Sequence, residues 1–190
     1  MTDRGFAVTG ADASEEMLRL ARRNAPAAEF LAADARTFAM PVVCDAVVCV
    51  FDSLNHVTSM EELLVVFRNV HAVLHDGGGF VFDLNMEEGY RARWRGSLGI
   101  VADDHVWVMR ARYRSDDAIG ETDLTIFRRE GEWRRDDVRL TQRCYSEEQV
   151  RTALATAGFG DVTAHDAERE LGMPGGVGRT FFRGFKRGEW

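Results

Sequence analysis

Phe6–Gly10 (FAVTG) is a short apolar run that closes on Gly10-Ala11-Asp12 and gives way at once to helical spacing. Ser14 is placed to cap that helix. Glu15 and Glu16 fall in its first turn, where carboxylates suit the positive end of the helix dipole, and Arg22 and Arg23 fall in its last. Met17, Leu18 and Ala21 keep one face apolar, with the core as the default place for Met17, and Asn24 and Pro26 stop the helix. Ala28–Ala33 (AEFLAA) predicts a short strand ending in Asp34-Ala35. Asp45–Phe51 (DAVVCVF) is a continuous apolar run, the pattern of a parallel strand buried on both faces, and it opens into the polar loop Asp52-Ser53-Leu54-Asn55-His56. Ser59 and Glu62 have capping-box spacing. Leu63, Phe67, Val70 and Leu74 continue as a helix that Asp76-Gly77-Gly78-Gly79 ends, and Phe80–Leu84 predicts the next buried strand, with Asp83 and Asn85 near its end.

From Ser97 to Arg143 the period changes to two. Trp107, Met109, Ala111 and Tyr113 alternate with Val108, Arg110 and Arg112, and Leu124 and Ile126 alternate with Asp123 and Thr125. Arg129-Glu130-Gly131-Glu132 is a turn signal. The segment predicts an antiparallel insertion that extends or covers the main sheet. No Pro/Gly/Ser linker flanks it, so residues 1–190 are expected to form one domain. Ser146 and Gln149 form a second capping box, Val150, Ala153, Leu154 and Ala157 follow on one face, and Gly158-Phe159 stops the helix. Asp161–Glu168 and Arg179–Lys186 predict a final antiparallel pair joined by Gly172–Gly178.

Composition narrows the function classes. Hydrophobic content of 45% and charged content of 29% are ordinary for a soluble globular protein, and 190 residues suffice for a real core. A formal charge of −7 argues against a phosphate-tracking surface, so nucleic acid is not an expected partner. Basic-then-apolar leader patterns and spans of membrane length are both missing, so a cytoplasmic protein without membrane contact is expected. Cys44, Cys49 and Cys144 lack metal-ligand spacing, and no metal is expected. Cys49, inside an apolar run, reads as a buried thiol in a reducing compartment.

Several carboxylates stand where chemistry needs them. A carboxylate at the C-terminal edge of a strand, just before a helix, can accept both hydroxyls of a ribose, and Asp12 is so placed. Asp34 suits an exocyclic amine, since a carboxylate only accepts, or caps the turn through Arg36–Phe38. The loop after Phe51 lies at the carboxyl end of a central strand, where ligands bind in open α/β sheets. The triple glycine precedes a strand instead of opening a helix, so it is not a phosphate loop.

The run Val8-Thr9-Gly10-Ala11-Asp12-Ala13-Ser14-Glu15-Glu16-Met17-Leu18 resembles the second strand and following helix of the class I S-adenosylmethionine (SAM)-dependent methyltransferases. The likeness runs through nearly the whole chain. Tyr145–Gln149, leading to Ala157-Gly158-Phe159, is similar to their last helix. The resemblance implies an α/β fold with a Rossmann-like, mostly parallel sheet, helices on both faces, an antiparallel insertion over residues 97–143 that covers the substrate, and an antiparallel C-terminal strand pair. It implies SAM as cofactor and a small-molecule methyl acceptor, methylated at nitrogen or oxygen.

The cofactor contacts it implies are Asp12, Ala13, Met17, Asp34, Ala35, Phe51 and Asp52. Asp34 would take the adenine amino group with the Ala35 backbone beside it, and Met17 would pack on the adenine or lie in the core. Phe51 and Asp52 would line the amino-acid end, although Phe51 reads equally well as core. His56 is the one candidate catalytic base or substrate contact; its other reading is a loop residue bonding nearby backbone. Tyr90, Asn55 and His105 are further residues that could face the substrate.

One departure stands out. In that family a strand and a glycine-rich loop precede this point, and here only Met1-Thr2-Asp3 does. That strand would lie between those at Phe6–Gly10 and Asp45–Phe51. The expectation is a sequence that opens inside the fold, binds SAM weakly or not at all as it stands, and favours self-association through an incomplete sheet. Two other readings follow: a non-catalytic remnant acting as a binding or regulatory partner, and a nicotinamide-dependent oxidoreductase, which Asp12 after a strand also suits.

Overall fold

The computed structural model describes residues 1–40 and 43–188. Strand β1 (Thr9–Asp12) feeds helix α1 (Glu15–Asn24), and β2 (Glu29–Ala32) returns parallel to β1 with Asp12 opposite Ala32. Then come β3 (Cys44–Cys49), one 3-10 turn (Ser53–His56), α2 (Met60–Val73) and β4 (Leu74–Asn85), parallel to β3. A short helix α3 (Glu87–Arg93) leads to β5 (Arg95–Val101), β6 (His105–Arg114), β7 (Ile119–Glu130) and β8 (Glu132–Arg143). Helix α4 (Glu147–Thr156) and the strands β9 (Phe159–Asp166) and β10 (Arg179–Lys186) complete the chain. Among the described residues the strands form three hydrogen-bonded sheets: β1-β2, β3-β4-β10-β9 and β5-β6-β7-β8.

The core lies where α2 and α4 pack on the sheet β3-β4-β10-β9. Leu63, Val66, Phe67 and Val70 from α2 and Val150, Ala153 and Leu154 from α4 meet Phe80, Phe82, Phe159 and Phe182. The rings of Phe80 and Phe82 stack at 4.7 Å, and those of Phe82 and Phe182 at 5.2 Å. Burying each such side chain stabilises the fold by about 1.5–3 kcal/mol. The helix starts match their caps: Ser14 accepts from the Met17 N–H at 3.3 Å, and Ser146 and Gln149 form the full reciprocal box.

Local details differ from the sequence pattern. The first strand begins at Thr9, three residues beyond the predicted start, and Phe6 is 59% exposed. The apolar run at 45–51 is not buried on both faces. Among the described residues strand β3 pairs only with β4, Val48 is 50% exposed, and Phe51 is not core but 79% exposed. Met17 likewise lies outside the core, because a single turn of α1 around Leu18 makes the inward contact. Ser59 accepts from the Glu62 N–H, but Glu62 sends its carboxylate to Arg36, so that box is only half formed. The glycine run does not sit between helix and strand. It is inside β4, where Cys44 pairs with Leu74 but Ala46 with Gly79, and Gly77 at φ 80° absorbs the bulge. The insertion forms a sheet of its own, beginning at Arg95.

Candidate functional site

The predicted cofactor residues sit at the C-terminal ends of β1, β2 and β3. Asp12 is the last residue of β1 and is exposed. Its Oδ1 accepts the Ser14 N–H at 2.8 Å, and its other oxygen has no partner among the described residues. Ala13 is exposed beside it, and Met17, one turn on, is 54% exposed.

Asp34, beyond β2, is engaged locally. Its Oδ1 accepts the Arg36 backbone N–H at 2.8 Å, and both its oxygens take the Arg36 guanidinium, at 2.9 and 2.6 Å. The Thr37 and Phe38 N–H groups donate to the Asp34 carbonyl, so this residue does shape the turn that the sequence allowed for. The guanidinium hydrogen bonds hold the Asp34 carboxyl down to about 2. The Ala35 carbonyl accepts from Asn69 Nδ2 at 3.1 Å, which ties this loop to α2.

At the end of β3 the backbone turns sharply. Phe51 and Asp52 both have left-handed φ, 65° and 50°, a conformation rare for residues with a Cβ and frequent at functional sites. The turn aims the Asp52 side chain inward, where it meets groups from across the chain. Gln142 Nε2, from β8, lies 2.8 Å from Asp52 Oδ2 and 3.0 Å from His56 Nε2. Arg179, from β10, donates to Asp52 Oδ1 at 2.9 Å and to Asp83 Oδ2 at 2.7 Å. Tyr90, wholly buried in α3, points its hydroxyl at Gln142 Oε1 at 3.4 Å and stacks on Tyr113.

These contacts determine how the Gln142 amide is turned. A carboxylate accepts only, so the NH2 must face Asp52, and Oε1 is left to accept from Tyr90. The second amide hydrogen then points at His56 Nε2, which is the unprotonated ring nitrogen in this arrangement. Asp83 is fully buried and its Oδ1 has no partner among the described residues. Burial raises its carboxyl above the ordinary range, against the pull of Arg179. Nearby, burial pushes the Cys49 thiol up to about 11, which keeps it a neutral, inert thiol.

Of the other residues the sequence offered, Asn55 is wholly buried and serves as a clasp. Its Nδ2 donates to the Asn85 and Arg143 carbonyls and its Oδ1 accepts from the Asn85 N–H. His105 stands at the start of β6, the end of the insertion away from Gln142, paired with Asp104. Gln142 and Arg179 were not singled out in the sequence, since neither belongs to a local motif.

The residues at the strand ends fit a nucleoside cofactor. A diol needs an acceptor with free lone pairs, which the Asp12 oxygen without a partner among the described residues supplies, and a base ring needs apolar surface, which the exposed Met17 leaves open. Residues 1–78 match the family model for a methyltransferase domain. This match and the relatives that follow support a class I SAM-dependent methyltransferase. YqeM of Bacillus subtilis (strain 168), a protein named as a methyltransferase, is 28% identical over 165 residues, covering 84% of this chain and 67% of that one. Among solved structures, a SAM-dependent methyltransferase from Clostridium acetobutylicum superposes with a TM-score of 0.80 at 19% identity, over 96% of this chain and 76% of that one. The sugar N-methyltransferase KedS8 from Streptoalloteichus superposes at 0.77 and 21% identity, over 95% of this chain and 71% of KedS8. For a methyltransferase of this class the cofactor is SAM. Among the described residues, no helix is long and apolar enough to cross a membrane, and no group of three or more ligating side chains could hold a metal.

Proposed function

We propose that this chain methylates a small molecule at nitrogen or oxygen, holding SAM at the ends of β1, β2 and β3 and the acceptor beside His56. Asp12 accepts from the ribose hydroxyls with Ala13 alongside, Met17 packs on the adenine, and Phe51 lines the amino-acid end. Asp34 and Ala35 meet the adenine edge, with Arg36 sharing the Asp34 carboxylate. Asp52 lies toward the amino-acid end. Bound there, SAM supplies a methyl group made electrophilic by its sulfonium.

The protein's part in such a displacement is alignment, exclusion of water and removal of a proton. The observation that carries the reading is the exposed His56 ring at the end of β3, its Nε2 lone pair held by the Gln142 amide at 3.0 Å. An acceptor N–H or O–H arriving at His56 takes the place of Gln142, and Nε2 receives its proton. The β5–β8 insertion, through Gln142 and Tyr113, closes one wall of this region. The name of KedS8 supports testing an amine on a small polyol first. Three free thiols suit a cytoplasmic setting.

The test is calorimetric titration with S-adenosylhomocysteine, followed by a methylation screen over amino sugars, simple amines and phenols. Asp12→Ala is expected to weaken binding roughly 10–100-fold, the range for one charge-assisted hydrogen bond. His56→Ala is expected to leave that affinity intact and lower turnover by about 100-fold or more. Transfer that survives His56→Ala, or S-adenosylhomocysteine binding that Asp12→Ala leaves unchanged, would overturn the assignment.

A further inference from the structure

Both oxygens of Asp52 are engaged within the protein. Oδ1 accepts from Arg179 Nη2 at 2.9 Å, and Oδ2 accepts from Gln142 Nε2 at 2.8 Å. Asp83 anchors the pair, its Oδ2 accepting the Asp52 backbone N–H at 3.2 Å and the other arm of Arg179 at 2.7 Å. The left-handed turn at Phe51 and Asp52 thus presents a carboxylate with two unlike ends. One end faces a guanidinium, which only donates, and the other faces an amide, which both donates and accepts. The Asp52 and Arg179 side chains are 19% and 23% exposed, so water has little room to stand in for either partner.

We propose that Asp52 is a positioning residue for the transfer: through the Gln142 amide it decides which nitrogen of His56 carries the ring proton, and Arg179 fixes the orientation in which it does so. The consequence for transfer rests on the reading of His56 as the base.

Donor and acceptor balance makes the dependence strict. As a carboxylate, Asp52 admits only the NH2 of Gln142 at Oδ2, and the same NH2 then donates to His56 Nε2 at 3.0 Å, which keeps the ring proton on Nδ1. In Asp52→Asn the new amide must keep its oxygen toward Arg179, because a guanidinium offers hydrogens alone. Its NH2 takes the Oδ2 place, and Gln142 has to turn Oε1 to meet it. That oxygen arrives 3.0 Å from His56 Nε2, where two lone pairs oppose each other unless the proton moves to Nε2. Tyr90 permits the turn, since its hydroxyl accepts from the reversed NH2 and donates to the Arg143 carbonyl, also at 3.4 Å. His56 Nδ1 has no hydrogen-bond partner among the described residues, so nothing on that side holds the proton back. With its proton on Nε2, the ring has no lone pair facing the acceptor.

Long-range proton–nitrogen correlation spectra of the 15N-labelled chain at about pH 9, where an imidazole is neutral, read the ring directly. His56→Ala identifies the His56 signals among those of the five histidines. In the wild type Nε2 is expected in the unprotonated position and Nδ1 in the protonated one. Asp52→Asn is expected to exchange the two and to leave the other four histidines unchanged. Because Asp52→Asn also touches the turn, Gln142→Leu is the second variant: it removes the amide, and His56 is expected to lose the wild-type preference and show a mixture. A wild type with the proton on Nε2 overturns the proposal, and so does a proton that stays on Nδ1 in either variant. Turnover separates this claim from the one beneath it. With His56 as the base, Asp52→Asn lowers kcat about 100-fold, as far as His56→Ala does. Transfer that survives His56→Ala overturns the catalytic consequence, while the spectra decide the positioning of the ring.

Discussion

Gln142 Nε2 and Asp52 Oδ2 lie 2.8 Å apart although 90 positions separate them in the chain. This bond fastens the insertion sheet to the strained turn after β3, and the same amide group orients His56. Replacing Gln142 by Leu keeps most of the volume and removes both donors. The expected cost is about 1–3 kcal/mol, the penalty of leaving the half-buried Asp52 oxygen and the buried Tyr90 hydroxyl without their Gln142 partner, measured by urea unfolding followed by circular dichroism. Gln142→Glu is expected to cost more at neutral pH than at pH 4, because it sets a second carboxylate against Asp52.

Arg179 is the cation that both Asp52 and Asp83 face. Asp83 is fully buried, so Arg179→Met strands its charge, a loss of about 3–5 kcal/mol at neutral pH for a broken buried pair. The pH dependence has a definite sign. Burial raises the folded-state value of Asp83 above its unfolded one. The folded state therefore binds the extra proton, and stability from this group is full below the unfolded value and lost as pH rises through the folded one. Removing Arg179 raises the folded value further. The gap in unfolding free energy between wild type and Arg179→Met is expected to be smaller at pH 4.5 than at pH 8.

Asp34 behaves in the opposite sense. Its folded value is depressed to about 2 by the Arg36 hydrogen bonds, so its contribution is present above the unfolded carboxyl range and is lost as pH falls from about 4 to about 2. Arg36→Ala is expected to return the Asp34 titration toward the ordinary carboxyl range, read from the side-chain carboxyl carbon by NMR. A midpoint unchanged in the variant would show that the backbone N–H of residue 36 alone sets it.

Gly120, in β7, lies under Tyr90. A Cβ there would stand 2.5 Å from Tyr90 Cε1 and 3.0 Å from the Trp94 ring. Gly120→Ala must push the Tyr90 ring aside, and with it the hydroxyl that faces Gln142. The expected destabilisation is about 1–3 kcal/mol, as for an overpacked core, with a fall in thermal midpoint and a change in near-ultraviolet dichroism from the Tyr90–Tyr113 stack.

Much of the fold was legible from local pattern. Ser14 and Ser146 cap the helices that follow them, and β10 runs from Arg179 to Lys186, the predicted bounds. Period-two spacing from Trp107 to Ile126 marks a sheet whose two faces differ, and that is how the strands pair. What escaped was set by neighbours. Phe51 and Val48 read as buried because the run 45–51 is apolar, but burial needs a partner on each side, and among the described residues β3 has a paired strand on one side only. Helix α3 is seven residues long and cap-poor, too short for its period to show.

The candidate site divides the same way. Asp12 at a strand end and Asp34 in its turn follow from residues within three positions, so the sequence alone determined where those carboxylates stand. The sequence equally determined the helix starts, the strand alternation and the acidic balance, all consequences of local sterics, capping and composition. Tertiary structure alone decided that Asp52, Gln142, Arg179 and Tyr90 converge. Arg179 and Asp52 are 127 positions apart and meet only because β4 pairs with β10 and the insertion folds back over the end of β3. A local pattern carries the propensity of each strand but not the register in which distant strands pair. It is register that brings the polar ends of those strands to one place.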